Sequence, residues 1–233
     1  MLTLQSVSKT YPGAGQILRE VSLHLDAGQV LCLAGQNAEG KTTLLEIAAG
    51  LRHPDAGEIR CTGRYSLVPQ RPALFAELSA SDHLALWYAA AGRRDRPFSP
   101  GSPEELLGLR AFSHTRAGRL SGGMRQRLSI ATSLCCRPDV LLLDEPFSAL
   151  DPAGINTLFS LLQHFSAAGG AVLFSCHDPR QIAALAHGLL ILQNGSLQGP
   201  FPLDPAHPDE SARKIFDLLR PDPPSSTFPT HSI

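Results

Sequence analysis

The stretch Gly35-Gln36-Asn37-Ala38-Glu39-Gly40-Lys41-Thr42-Thr43 constrains this chain more than any other. It follows the apolar run Val30-Leu31-Cys32-Leu33 and leads into Lys41 to Ala49, so it reads as a strand, a glycine loop and a helix start. The spacing is the P-loop pattern, Gly-x4-Gly-Lys-Ser/Thr. Backbone N–H groups left free at a helix N-terminus point at an anion, and the glycines let the backbone approach it. Lys41 would reach the outer phosphates, and the Thr42 hydroxyl would hold Mg²⁺.

Two other stretches carry chemistry of the same kind. Val140-Leu141-Leu142-Leu143 is a continuous apolar run suited to a strand buried on both faces of a parallel sheet, and Asp144-Glu145 closes it. Ligands of open parallel sheets bind at the carboxyl ends of strands, so Asp144 is the expected metal-positioning carboxylate and Glu145 the base for an attacking water. Ser121-Gly122-Gly123 opens a second helix with phosphate-binding character. The chain thus offers two anion-type helix starts but one P-loop, which one nucleotide could touch together if the second came from another copy related by a two-fold axis.

The order of elements predicts an α/β fold. Leu2 to Val7 and Val21 to Leu25 read as an antiparallel edge sheet split by a loop at Tyr11 to Gly15. Short strands at Glu58 to Cys61 and Tyr65 to Val68 follow. From about Pro72 helices come without strands: Ser81 is the expected cap of a helix over Asp82 to Ala91, Ser102-Pro103 starts another, and a third runs from Met124 to Arg137. Strand and helix then alternate to an Asn194-Gly195 hairpin. The expected organisation is a P-loop core of residues 1–71 and 138–199 with a mainly parallel sheet and an antiparallel edge sheet, and a helical subdomain inserted at 72–137. Residues 200–233 form a Pro-rich tail with one amphipathic helix, Glu210 to Arg220, and disorder beyond Arg220 is expected.

Composition excludes several classes. At 233 residues and 43% hydrophobic the chain can bury a full core, and its formal net charge of −1 argues against nucleic acid as a partner. Its five cysteines form no Cys-x-x-Cys pair, which indicates neither a zinc knuckle nor a disulfide framework, and Cys32 and Cys176, in apolar strand-like runs, read as small buried hydrophobes in a reducing cytosol. No apolar stretch approaches the roughly 18 residues of a membrane span. The chain reads as soluble.

Leu120-Ser121-Gly122-Gly123-Met124-Arg125-Gln126, set between the P-loop and Asp144-Glu145, resembles the signature motif of ATP-binding cassette (ABC) ATPases. The resemblance covers roughly residues 2 to 199. On it, Tyr11 would stack on adenine and Gln70 would sense Mg²⁺ and the γ-phosphate at the entrance to the helical subdomain. Ser148 to Asp151 would cross a dimer interface, and His177 would contact the γ-phosphate. The resemblance implies ATP and Mg²⁺ as ligands, with Gly35 to Thr43 of one copy and Ser121, Gly122 and Gly123 of the other enclosing each ATP. It also implies a groove in the helical subdomain for a membrane permease, and hence a cytoplasmic location at the inner face of the membrane. Three features depart from the pattern: Ala38 stands where a third P-loop glycine is usual, Glu39 puts a carboxylate beside the phosphates, and the Thr62 to Arg64 connection is short. The alternatives are a soluble ATPase of the same family serving a cytosolic assembly or membrane-remodelling complex, and a weakly hydrolysing ATP-dependent regulatory module.

Overall fold

The computed structural model describes residues 1–13 and 15–219. The chain opens with β1 (Leu2–Tyr11) and β2 (Gly15–Leu25), enters the central strand β3 (Val30–Ala34), and passes through the glycine loop into α1 (Lys41–Ala48). Next come β4 (Ala56–Cys61) and β5 (Tyr65–Val68), then the helices α2 (Ala80–Ala90), α3 (Pro103–Leu106) and α4 (Gly122–Leu134). The second half alternates β6 (Val140–Leu143), α5 (Pro152–Ala167), β7 (Ala171–Ser175) and α6 (Pro179–Leu185), and ends with the hairpin β8 (Gly188–Gln193) and β9 (Ser196–Pro202) and the helix α7 (Pro208–Leu219).

Two sheets result. The antiparallel one has the order β2-β1-β4 and the six-stranded one the order β5-β6-β7-β3-β8-β9, parallel except for its last pair. The three residues Thr62 to Arg64 therefore do not make a hairpin. They carry the chain from one sheet to the other, because β4 pairs with β1 while β5 pairs with β6. The first hairpin is also longer than its hydrophobic alternation suggests: β1 runs on to Tyr11 and β2 begins at Gly15.

Alternate residues of β3 feed two cores, as the period of two requires. Cys32 and Ala34 join Leu128, Leu158 and Ile182 of α4, α5 and α6, whereas Leu31 and Leu33 join Leu44, Leu45 and the leucines of β1 and β2. Because both faces are covered, β3, β6 and β7 are buried at every residue. In the helical segment, α2 starts earlier than expected. Ser79 rather than Ser81 caps it, in a reciprocal box in which Ser79 Oγ accepts from the Asp82 amide and Asp82 accepts from the Ser79 amide. Ser81 instead donates its hydroxyl to the Ser113 carbonyl.

The amphipathic helix of the C-terminal segment is α7. It packs on α6, and Ile215 is fully buried in the core that includes Phe174. The expectation of disorder beyond Arg220 lies outside the described residues. Ile215→Ala should cost roughly 2 to 5 kcal/mol by removing a buried side chain, read as a lower denaturation midpoint in urea. An unchanged midpoint would mean α7 is not part of the folded core.

Candidate active site

The carboxyl ends of four neighbouring strands bring the predicted residues together. Gly35 follows β3, His177 lies just past β7, Asp144 and Glu145 follow β6, and Gln70 follows β5. In a parallel sheet this is the ligand-binding edge.

The loop between β3 and α1 is built to accept an anion. Gly40 caps α1 at φ 101° with no side-chain cap, so the first amides of the helix keep their donors free. A Cβ at Gly40 would also lie 2.5 Å from Ile17 Cγ2. The buried Lys41 turns back over the loop, and its Nζ donates to the carbonyls of Gly35 at 2.8 Å and Gln36 at 2.9 Å. Ala38 adopts φ 68°, a left-handed conformation that costs an L-residue roughly 1 to 2 kcal/mol. The Glu39 carboxylate is turned away from the loop's concavity and accepts the amide of Asn194, in the β8–β9 turn, at 2.6 Å.

Strand register assembles the acidic half. Leu143 pairs with Phe174, so the next residues, Asp144 and Ser175, sit side by side at the sheet's edge. Thr42 Oγ1 donates to Asp144 Oδ2 at 2.6 Å, and Ser175 Oγ donates to Asp144 Oδ1 at 2.6 Å. The same Ser175 oxygen accepts the Glu145 amide at 2.8 Å. Glu145 itself is left-handed at φ 47°, a strained conformation for a residue with a long side chain. Its Oε2 lies 3.1 Å from His177 Nδ1, and because a carboxylate only accepts, the ring donates there. Ser175 was not legible in the sequence, where it reads as the last residue of an apolar strand; the signal is the pairing of β6 with β7. The neighbouring thiols are silent: burial pushes Cys176 up to about 12 and Cys32 well above its ordinary value, so both stay protonated.

These groups share a cleft of about 440 Å³ lined by Tyr11, Asn37, Ala38, Gly40, Lys41, Thr42, Thr43, Gln70, Asp144 and Glu145. At its rim the Tyr11 ring lies 5.3 Å from the Arg52 guanidinium and 5.7 Å from Lys9 Nζ. Gly35, Gln36 and His177 line a smaller adjoining cavity of about 200 Å³, with Leu218 and Leu219 of α7. Ser121, Gly122 and Gly123 are not among the residues lining the cleft. Ser121 caps α4, its Oγ accepting from the Met124 amide at 3.2 Å, and with Gly122 it faces solvent. A Cβ at Gly123 would lie 2.9 Å from the Ala149 carbonyl oxygen, so this turn packs against the segment that follows Glu145. Ser148 in that segment donates its hydroxyl to the Glu145 carbonyl at 3.0 Å.

The cleft combines a free helix N-terminus and an ammonium with a carboxylate–hydroxyl pair and a second carboxylate held by a histidine, the equipment for phosphoryl transfer to water. A family model described as ABC transporter matches residues 18–148. The chain belongs to the ABC transporter family. It is an ATP-binding subunit, an ATPase of the kind that powers transport. Over 210 residues it is 34% identical to the ABC transporter ATP-binding protein YxlF of Bacillus subtilis (strain 168), covering 84% of this chain and 69% of that protein. It is 30% identical to the glutamate/aspartate import ATP-binding protein GltL of Escherichia coli (strain K12), covering 94% and 98% respectively. Several sulfate/thiosulfate import ATP-binding proteins also match, and the chain spans 64 to 65% of their length. The solved structure of an ATP binding subunit of an ABC transporter superposes with a TM-score of 0.76 at 26% identity, covering 91% of this chain and 94% of that one. Among the described residues no helix is long and apolar enough to cross a membrane.

Ser175→Ala should strip a partner from a buried carboxylate and from the Glu145 amide. The cost is roughly 1 to 3 kcal/mol of stability, with a fall in ATPase rate; calorimetry and phosphate release measure the two. Wild-type values in both would remove Ser175 from the site.

Proposed function

We propose that this ATPase works as one half of a nucleotide sandwich that drives a membrane permease. The observation that carries the proposal is the separation of two anion-binding helix starts: Lys41, Thr42, Asp144 and Glu145 converge on one cleft, while Ser121 and Gly122 at the start of α4 open to solvent outside it. A second copy, or a homologous subunit, would supply Ser121, Gly122 and Gly123 to the nucleotide bound here, by the symmetry rule for two-fold pairs.

The donor set fits Mg²⁺, a hard cation that takes oxygen ligands and keeps water and phosphate in its shell. Thr42 Oγ1 and Asp144 Oδ2, already 2.6 Å apart, would hold it with Gln70, and no group of three His, Cys, Asp or Glu side chains competes among the described residues. When bound, Mg²⁺ neutralises charge on the phosphates. The chain's own groups do the rest. The α1 amides and Lys41, released from the Gly35 and Gln36 carbonyls, bind the β- and γ-phosphates. Tyr11 stacks on the adenine with its ring already flanked by cations. Glu145 takes the proton of the attacking water as the bond from the γ-phosphorus to ADP breaks, and His177 holds that carboxylate in place through Nδ1. Ala38 and Glu39 remove none of these groups.

The permease would seat on the helical subdomain, beside the groove lined by Leu51, Ala73 and Trp87. The chain would then lie on the cytoplasmic face of a membrane through that partner. Glutamate and aspartate are what the name of GltL says that protein imports; the cargo served by this chain would be set by its permease.

Glu145→Gln should lower steady-state phosphate release by about a hundredfold or more and leave ATP-dependent dimers that survive gel filtration. Release near the wild-type rate would defeat the proposal. Ser121→Arg should block hydrolysis while the monomer keeps its ATP affinity in equilibrium titration, and a loss of affinity in the monomer would mean that Ser121 serves its own chain's site.

A further inference from the structure

Glu39 is the one acid within the phosphate-binding loop, and its neighbour Ala38 holds a conformation that favours glycine. Glu39 reaches across to the β8–β9 turn. Gln193 pairs with Ser196, leaving Asn194 and Gly195 as a two-residue turn, both at positive φ. The amide of the first residue of such a turn takes no part in the ladder. Here it donates to Glu39 Oε2 at 2.6 Å, a charge-assisted bond. The turn is anchored in its own right, since Gly195 O accepts the Arg19 amide of β2 at 2.7 Å, and β2 also supplies the Ile17 methyl that abuts Gly40. A closed frame thus runs from β2 through the hairpin turn to Glu39 and the loop, and back to β2 at Gly40.

We propose that Glu39 is a positioning residue whose carboxylate, tied to the Asn194 amide, holds the P-loop in the conformation that Ala38 strains. The inference rests on the reading of this cleft as a nucleotide site. A left-handed alanine lets the loop leave its binding shape, and a loop that is competent only part of the time binds more weakly by that fraction. The tie to the hairpin restores the competent fraction. The same tie keeps the negative charge engaged with a backbone donor rather than facing phosphate.

A double-mutant cycle on the full chain tests this, with ADP as the probe so that turnover plays no part. Isothermal titration of ADP into wild type, Glu39→Ala, Ala38→Gly and the double variant is expected to show Glu39→Ala weakening binding about tenfold beside the native Ala38 and less than about threefold in the Ala38→Gly background. Glu39→Gln should stay within about threefold of wild type, because its amide oxygen can accept the same N–H. An equal loss in both backgrounds, no loss in either, or tighter binding by Glu39→Gln or Glu39→Ala would overturn the inference. Wild-type protein that fails to bind ADP at all would overturn the nucleotide-site reading beneath it. The two variants that carry Ala38→Gly provide a reference with the strain removed, and thermal melts of all five proteins check that each is folded.

Discussion

The Asp144 carboxylate is almost completely buried, with 3% of its surface exposed. A carboxylate with so little exposure must be met by hydrogen-bond donors. Thr42 and Ser175 meet it, one hydroxyl on each oxygen. Those hydroxyls come from the helix after β3 and from the end of β7, so the carboxylate is satisfied only when β6, β7 and β3 lie side by side in register. The apolar cores above and below the sheet therefore do more than stabilise the fold. They hold three strand ends level, and the geometry of the cleft follows from that levelling.

What could be read in the chain beforehand was what is local or periodic. The P-loop spacing, the buried runs of β3, β6 and β7 and the Asn194-Gly195 turn are short patterns whose physical cause lies within a few residues. The α/β class and the helical insertion followed from the alternation of such patterns. What escaped depends on distant pairing. Ser175 matters because Leu143 faces Phe174, and a single sequence does not state register. The outward turn of Glu39 depends on a residue 155 positions away. The short connection from Thr62 to Arg64 does not by itself say that it runs between two sheets, which follows only from β4 pairing with β1 and β5 with β6. The start of α2 was missed for another reason: Ser79 and Ser81 are both good caps, and the acid three residues after Ser79 decides between them.

Ala38 and Glu145 illustrate how local rules give way along the lining of the cleft. Both are L-residues in left-handed backbone. Glu145 is fixed by bonds at its amide, its carbonyl and its carboxylate, from Ser175, Ser148 and His177. Ala38 is next to a side chain anchored on the other side of the loop. Departures from the expected pattern at such positions are tolerated when neighbouring bonds carry the strain.

The short segment from Glu145 to Ala149 has a further consequence. Its first residue touches the histidine of the cleft, its fourth binds back to the first, and its fifth abuts Gly123 at the exposed start of α4. One short segment thus joins the Glu145 side of the cleft to the exposed start of α4. A shift of Glu145 would therefore be felt at the start of α4, because the backbone between them leaves only a few residues in which to absorb it.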